Sequence, residues 1–367
     1  MGSLNAALNF GAGPAKLPRE VLLKAQDELL SYKNMGMSIM EMSHRSKEYA
    51  QINTNAQDLV RELLNVPDNY KILFLQGGGT GAFAAVAMNL MSRTGVADYC
   101  VTGTWSLKAA KEAAKYGTVN YAFPVAKKPG IIPDPSTWNL SPNASYVYYC
   151  ANETVDGVEY HYIPETNGVP LISDMSSSIM TREIDISKFG VILAGAQKNI
   201  GPAGVTVLIV RDDLIGNAMK ICPSIFDFKN VDANQSIHNT PATFSVYVMN
   251  LVFEWIKKNG GVREMENQAL RKSQHLYDTM KNSGGFYSCP INENCRSRMN
   301  VPFRVGGDGG DEALEKQFLV ETERLNMHQL KGHRSVGGIR ASLYNAVTYE
   351  EVDALVRFMH QFQKDHS

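Results

Sequence analysis

Several residues of unlike chemistry stand just beyond apolar runs in the first two-thirds of this chain. In ILAGAQKNIGPAG (192–204) a run of strand character ends in small residues and then a single lysine, Lys198. Gly201, Pro202 and Gly204 bar a helix beyond it. A lysine after a strand is most often a solvated turn residue. Held at the mouth of a pocket, the same amine can bond an aldehyde covalently. Its neighbours must decide. PLISD ends in Asp174, an acid that either caps a turn or answers a buried cation. SYVYYCANET ends in Thr154, and Trp105 follows ADYCVTG. A core tryptophan is the commoner case, but a flat aromatic at a strand end can also stack on a heteroaromatic ring. KILFLQ runs into GGGTG (77–81), where helix-start N–H groups would cradle a phosphate. That turn has neither the GK[ST] of a Walker loop nor the spacing GxGxxG.

Singly, each feature has a structural explanation. Together, a phosphate cradle at Gly79, a ring cover at Trp105, an acid for a ring nitrogen at Asp174 and an aldehyde-bonding amine at Lys198 describe pyridoxal phosphate. Two further clusters suit anionic substrates. SHRS (43–46) and GHRSVGGIRAS (332–342) share a His-Arg-Ser triplet, and the second adds Arg340 among glycines. Arginine grips carboxylate and phosphate through two parallel N–H groups, and histidine adds a donor.

The elements that must position these groups follow from periodicity. Short apolar runs alternate with helical patterns, which predicts an α/β fold with a mostly parallel sheet covered on both faces. Ligands of such sheets bind beyond the carboxyl ends of the strands, where Gly79, Trp105, Thr154, Asp174 and Lys198 all fall. Helices are predicted over 18–32, 46–64, 107–117 (with Gly117 as C-cap) and 262–281, the last followed by strands GFYSCP and RMNVPFRV and helices near 311–325 and 349–363. The change of pattern near Gly261 suggests a smaller α+β domain.

Composition narrows the classes. A net charge of −1 gives no electrostatic reason to expect nucleic acid or an anionic membrane as partner. Five scattered cysteines without a CxxC pair suggest neither a disulfide framework nor a zinc site, and with no HExxH spacing we expect no metal. No apolar run reaches membrane-span length, and MGSLNAALNF lacks the regions of a secretory leader, so a cytoplasmic protein is expected.

From NFGAGPAKLP through EMSHRS, FLQGGGTGAF, VTGTWS, YYCANET, SDMSS, AGAQKNIGPAG and HNTPATFSVYV to KGHRSVGGIRASLYNAV, the chain resembles the phosphoserine aminotransferases. These are class-V pyridoxal-phosphate enzymes of the aspartate-aminotransferase fold. The resemblance implies fold type I, with a large domain (16–260) built on a mostly parallel seven-stranded sheet and a small α+β domain (1–15 and 261–367). It implies reversible ping-pong transfer of an amino group from glutamate to 3-phosphohydroxypyruvate, giving O-phosphoserine and 2-oxoglutarate in serine biosynthesis. It also implies roles: Lys198 holding the cofactor and moving protons, Asp174 on the ring nitrogen, Trp105 over the ring and Thr154 on its hydroxyl. Gly79, Thr80 and Gln197 would hold the phosphate, joined by Asn239 and Thr240 from the second subunit of a homodimer. Arg340 would take the substrate α-carboxylate, and His44, Arg45, His333 and Arg334 its distal anion. The chain departs from the family pattern at Ala12 and Ala82. Another small-molecule aminotransferase, a cysteine desulfurase and a nucleotide-binding or scaffold protein are the alternatives. The last leaves Lys198 and Asp174 unexplained, and the desulfurase lacks a cysteine in a Gly/Ser-rich loop near these motifs.

Overall fold

The computed structural model describes residues 6–367; the part of the expected leader reading and of the expected 1–15 segment of the small domain that falls on residues 1–5 lies outside them. Elements in chain order are β1 (Leu8–Asn9), α1 (Arg19–Asp27), α2 (Lys47–Leu63), β2 (Tyr70–Leu75), α3 (Gly78–Leu90), β3 (Val96–Cys100) and α4 (Thr104–Ala113). Then come β4 (Thr118–Tyr121), β5 (Val147–Cys150), β6 (Leu171–Asp174), β7 (Val191–Gly195), β8 (Thr206–Arg211), α5 (Phe228–Ala233) and α6 (Thr243–Lys258). The chain ends with α7 (Gly261–Lys281), β9 (Tyr287–Ser288), β10 (Asn300–Val305), α8 (Glu312–Arg324), β11 (Met327–His328), β12 (Ile339–Ser342) and α9 (Tyr349–His366).

Seven strands form the central sheet in the order β2-β8-β7-β6-β5-β3-β4. From β7 to β4 neighbouring strands run parallel, while β8 runs antiparallel to both β7 and β2. The mostly parallel sheet expected from the sequence is therefore present, with one reversed strand inside it. Alternation within each strand divides the core. Ile72 and Phe74 pack with α2 and α6 on one face, and Leu73 and Leu75 with α3 and α4 on the other. Both faces are covered, which is why VYYC of β5 is buried at every position. α3 is apolar all round, being buried continuously from Ala82 to Leu90, as a helix inside the molecule must be.

A second, antiparallel sheet of order β12-β10-β9 packs against α7, α8 and α9, with Phe303, Phe318, Ile339 and Met359 in its core. β1 pairs in parallel with β11, tying the start of the described chain to this part.

Two expectations need correction. The helix predicted over 18–32 ends at Asp27; the chain then turns, with Tyr32 N–H donating to Met37 O, and leaves Leu30 83% exposed. α4 starts at Thr104, before the expected 107, and stops at Ala113, so Gly117 is not its C-cap. Gly117 does not have a left-handed backbone; a Cβ there would lie 2.5 Å from Met91 Cγ, so close packing explains it. Arg340 lies on a strand, β12, opposite Pro302 of β10.

Candidate active site

The sheet brings the strand-end residues together because parallel strands point their carboxyl ends one way. β7 ends at Gly195, and three residues later Lys198 is 8% exposed. Its Nζ donates to Thr154 Oγ1 at 2.6 Å, beyond the end of β5, and lies 5.5 Å from the centre of the Trp105 ring. Burial pulls the Lys198 pKa below its ordinary value, against the opposing charges of Asp174, Cys150 and Glu153. Asp174 closes β6 and is buried; its Oδ1 accepts from Ser176 N–H at 2.8 Å.

Thr154 is gripped from a second side. Arg340 reaches over from β12, its Nη1 donating to Thr154 O at 3.4 Å. Burial lowers the Arg340 pKa, and its Nε is buried with no partner among the described residues. His333 and Arg334 sit on the loop leading to β12, where His333 Nδ1 and Ser335 Oγ are 2.7 Å apart. Burial, then the Arg340 charge, depress the His333 pKa. Gly338 allows this loop to enter its strand: its φ is +67°, and a Cβ would lie 2.8 Å from Phe303 O.

The glycine turn opens α3. Gly77 and Gly78 have φ of +97° and +61°, and beyond Gly78 there is open space where a Cβ would stand. The amides of Gly79 and Thr80 lie in the first helical turn, where no intrahelical acceptor exists. Gln197 directly precedes Lys198, and its carbonyl accepts from Ala15 N–H at 2.9 Å. Ala82, one of the family departures, is fully buried in α3. Ala12, the other, accepts at its carbonyl from Tyr344 O–H at 2.8 Å.

Within one chain the remaining expected residues stand apart. Asn239 and Thr240 are exposed, with Gln76 Nε2 donating to Thr240 O at 3.0 Å. Arg45 is exposed and its N–H donates to Ser43 Oγ at 3.2 Å. No hydrogen bond or ion pair seen among the described residues joins His44, Arg45 or Asn239 to Lys198.

The donors fit pyridoxal phosphate. Free helix-start amides suit its phosphate, a buried carboxylate suits its ring nitrogen, and a half-satisfied buried amine suits its aldehyde. The indole N–H of Trp105 and Nε of Arg340 are further buried donors without a hydrogen-bond partner among the described residues.

Sequence reasoning missed two acids beside Thr154. Glu153 and Asp156 accept hydrogen bonds from the first turn of α4. Burial, then the neighbouring Asp156 charge, push the Glu153 carboxyl up to about 7; burial also raises Asp156. Only their place inside YYCANETVD, at the end of a buried strand, hinted at a role.

Comparison with known proteins places this arrangement. The family model Aminotransferase class-V matches residues 7–355. The chain is similar to the phosphoserine aminotransferase of Drosophila melanogaster, 61% identical over 98% of this chain and 99% of that one. The solved phosphoserine aminotransferase from Bacillus circulans subsp. alkalophilus superposes with a TM-score of 0.94 at 42% identity, covering 99% of both chains. A phosphoserine aminotransferase with pyridoxal phosphate bound, from Trichomonas vaginalis, gives 0.93 at 39% identity over 97% of this chain and all of that one.

Proposed function

The chain belongs to the class-V aminotransferases, and on that premise we propose that Lys198 and Asp174 carry its chemistry while Trp105, Thr154 and Arg340 position the reactants. The reaction is the reversible ping-pong transfer of an amino group between L-glutamate and 3-phosphohydroxypyruvate, giving O-phospho-L-serine and 2-oxoglutarate in serine biosynthesis. Pyridoxal phosphate is the cofactor; when bound it supplies the sink for the electron pair left as the substrate Cα proton departs.

One observation carries the assignment: a single buried amine lies between the Thr154 hydroxyl and the Trp105 ring, its pKa lowered by burial. With the cofactor bound, a lysine so placed would hold its aldehyde, and the Nζ, its pKa lowered by burial, would take the substrate Cα proton and return it. Asp174 would supply the carboxylate for the ring nitrogen. Trp105 would cover the ring and Thr154 Oγ1 would bond the ring hydroxyl. Gly79, Thr80 and Gln197 would hold the phosphate.

Arg340 binds the substrate α-carboxylate, supported by its Nε lacking a partner and its tie to Thr154 O. His333 and Arg334, with His44 and Arg45, receive the distal phosphate or carboxylate. We place His44, Arg45, Asn239 and Thr240 at the site of a second copy in a twofold homodimer, a reading supported by their exposure or separation from Lys198 within one chain. We also propose a large domain over 16–260 and a small one over 1–15 and 261–367, supported by the pairing of β1 with β11, and a cytoplasmic location. Among the described residues, no helix is long and apolar enough to cross a membrane.

The test is direct. Purified, cofactor-loaded protein given O-phosphoserine and 2-oxoglutarate should form glutamate. Absence of glutamate from a yellow, folded protein would refute the substrate assignment.

A further inference from the structure

The helix that carries Trp105 is capped in an unusual way. An α-helix leaves its first N–H groups without intrahelical partners, and a Ser, Thr, Asp or Asn just before it normally serves them. Here that position is Gly103, which has no side chain to offer. Two carboxylates from about 50 positions further along the chain do the work instead. Asp156 Oδ2 accepts from Thr104 N–H at 2.7 Å. Glu153 Oε2 accepts from Trp105 N–H at 2.8 Å, and its Oε1 from Ser106 N–H at 2.9 Å and from the Ser106 hydroxyl. Leu107 N–H donates to Gly103 O. Every N–H of the first turn is thereby satisfied.

Gly103 is required for this arrangement. A Cβ at that position would stand 2.5 Å from Asp156 Oδ2 and 2.6 Å from the Glu153 carboxyl carbon. A local cap is excluded by the acids that replace it.

The turn that supplies the acids also supplies Thr154, whose hydroxyl takes the Lys198 hydrogen bond and whose carbonyl takes that of Arg340. Glu153 is 0% exposed, so its orientation is fixed on all sides. Acceptors at a helix start satisfy its otherwise unpaired N–H groups, and in a buried setting each of these bonds is strengthened. We propose that Glu153, supported by Asp156, is a positioning residue: it locks the backbone of Trp105 to the turn of Thr154, so that the indole plane and the Lys198 amine keep a fixed relation to one bound ring. A cap made by a local serine would hold the helix but would leave Trp105 free to drift relative to Lys198.

The inference rests on the cofactor reading given above, and its test separates the two. The apo form of Glu153→Gln keeps the volume but presents an NH2 to at least one N–H or O–H donor. Its affinity for pyridoxal phosphate, measured by visible absorbance titration, should fall about tenfold or more. Quenching of Trp105 emission per bound cofactor should fall with it, in a Trp138→Phe, Trp255→Phe background. Asp98→Asn is the control. Asp98 is a fully buried acid accepting from Ser141 N–H at 2.6 Å and Asn120 Nδ2 at 2.9 Å, so the change should lower thermal stability but leave cofactor affinity within about twofold. Ser106→Ala removes the hydroxyl bond to Glu153 together with the bonds that the same oxygen accepts from Thr102 N–H and Gly103 N–H, and should shift affinity the same way by a smaller factor; read beside Asp98→Asn, it decides the matter if Glu153→Gln fails to fold.

Wild-type affinity and quenching in Glu153→Gln, or an equal loss of affinity in Asp98→Asn, would overturn the positioning role. Failure of the wild-type protein to bind the cofactor would instead remove the reading beneath it.

Discussion

Lys198, just past β7, and Lys272, midway along α7, are the two buried lysines among the described residues, at 8% and 1% exposure. Burial drags both amines below the ordinary lysine value, Lys272 to about 7. Their partners differ. Lys272 Nζ donates to Tyr344 O at 2.9 Å and to Val347 O at 2.7 Å, two fixed carbonyls that pin α7 to the segment after β12. Lys198 has one hydroxyl, that of Thr154, and faces the Trp105 ring. An ammonium has three N–H donors. Two fixed acceptors make Lys272 a structural tie, while one adjustable acceptor leaves Lys198 able to bond something from outside the chain. A lowered pKa alone therefore does not mark a catalytic lysine; the partner set does.

The largest effect that should separate them is on turnover. Lys198→Ala should lose on the order of 10³-fold or more in rate while keeping near-native thermal stability, because it removes the proposed proton carrier. Co-expressed with Arg45→Ala, it should regain activity, since one site of the mixed dimer carries neither lesion. Random assembly makes about a quarter of all sites intact. Heterodimers that stay at the sum of the parents would show that Arg45 serves its own chain's lysine.

Next in size are the arginines. Arg340 touches the same Thr154 that holds Lys198, so Arg340→Ala should harm glutamate, phosphoserine and alanine alike as amino donors. Arg45→Ala should harm the first two and spare alanine, which has no distal anion. Each loss should be on the order of 2–5 kcal/mol in transition-state binding where a charge is left unpaired. Matching substrate profiles for the two variants, read as kcat/KM, would break the division of labour.

The smallest effect is on the pH dependence of stability. Lys272 titrates at about 7 when folded and near its ordinary value when unfolded. Between those values the unfolded chain binds more protons than the native one, so unfolding free energy should rise with pH across that window. The slope contributed by one such group approaches about 1.4 kcal/mol per pH unit. Lys272→Met should lack this rise, and its deficit against wild type should therefore grow from pH 7 to 10. Parallel denaturation curves over that range would show that Lys272 is not the source.

How much of this was legible depended on whether a residue's partner lay nearby in sequence. Trp105, Thr154, Asp174 and Lys198 could be read because each is an odd residue at the end of an apolar run, and parallel strands gather such ends. β8, TVLIVR, shows no sign in its own residues that it reverses, since direction is set by the loop before it. β4, TVNY, is half-polar at the sheet edge and lacks the apolar run that marked the others. Gly117 looked like a cap because glycine's backbone freedom is visible in sequence, whereas its contact with Met91 is not. Glu153 lay inside a motif already singled out, yet its partners Trp105 and Ser106 are 48 and 47 positions away. Lys272 gave no signal, because its acceptors are backbone carbonyls that any residue could supply.

The proposed chemistry turns on Lys198, and one labelling experiment addresses it. The holoprotein should be reduced with borohydride, digested, and the peptide bearing the cofactor identified by mass spectrometry. A single modified site is expected at Lys198 within ILAGAQKNIGPAG, with Lys272 unmodified although burial lowers its pKa too. A cofactor found on Lys272, or on any lysine other than Lys198, would contradict it.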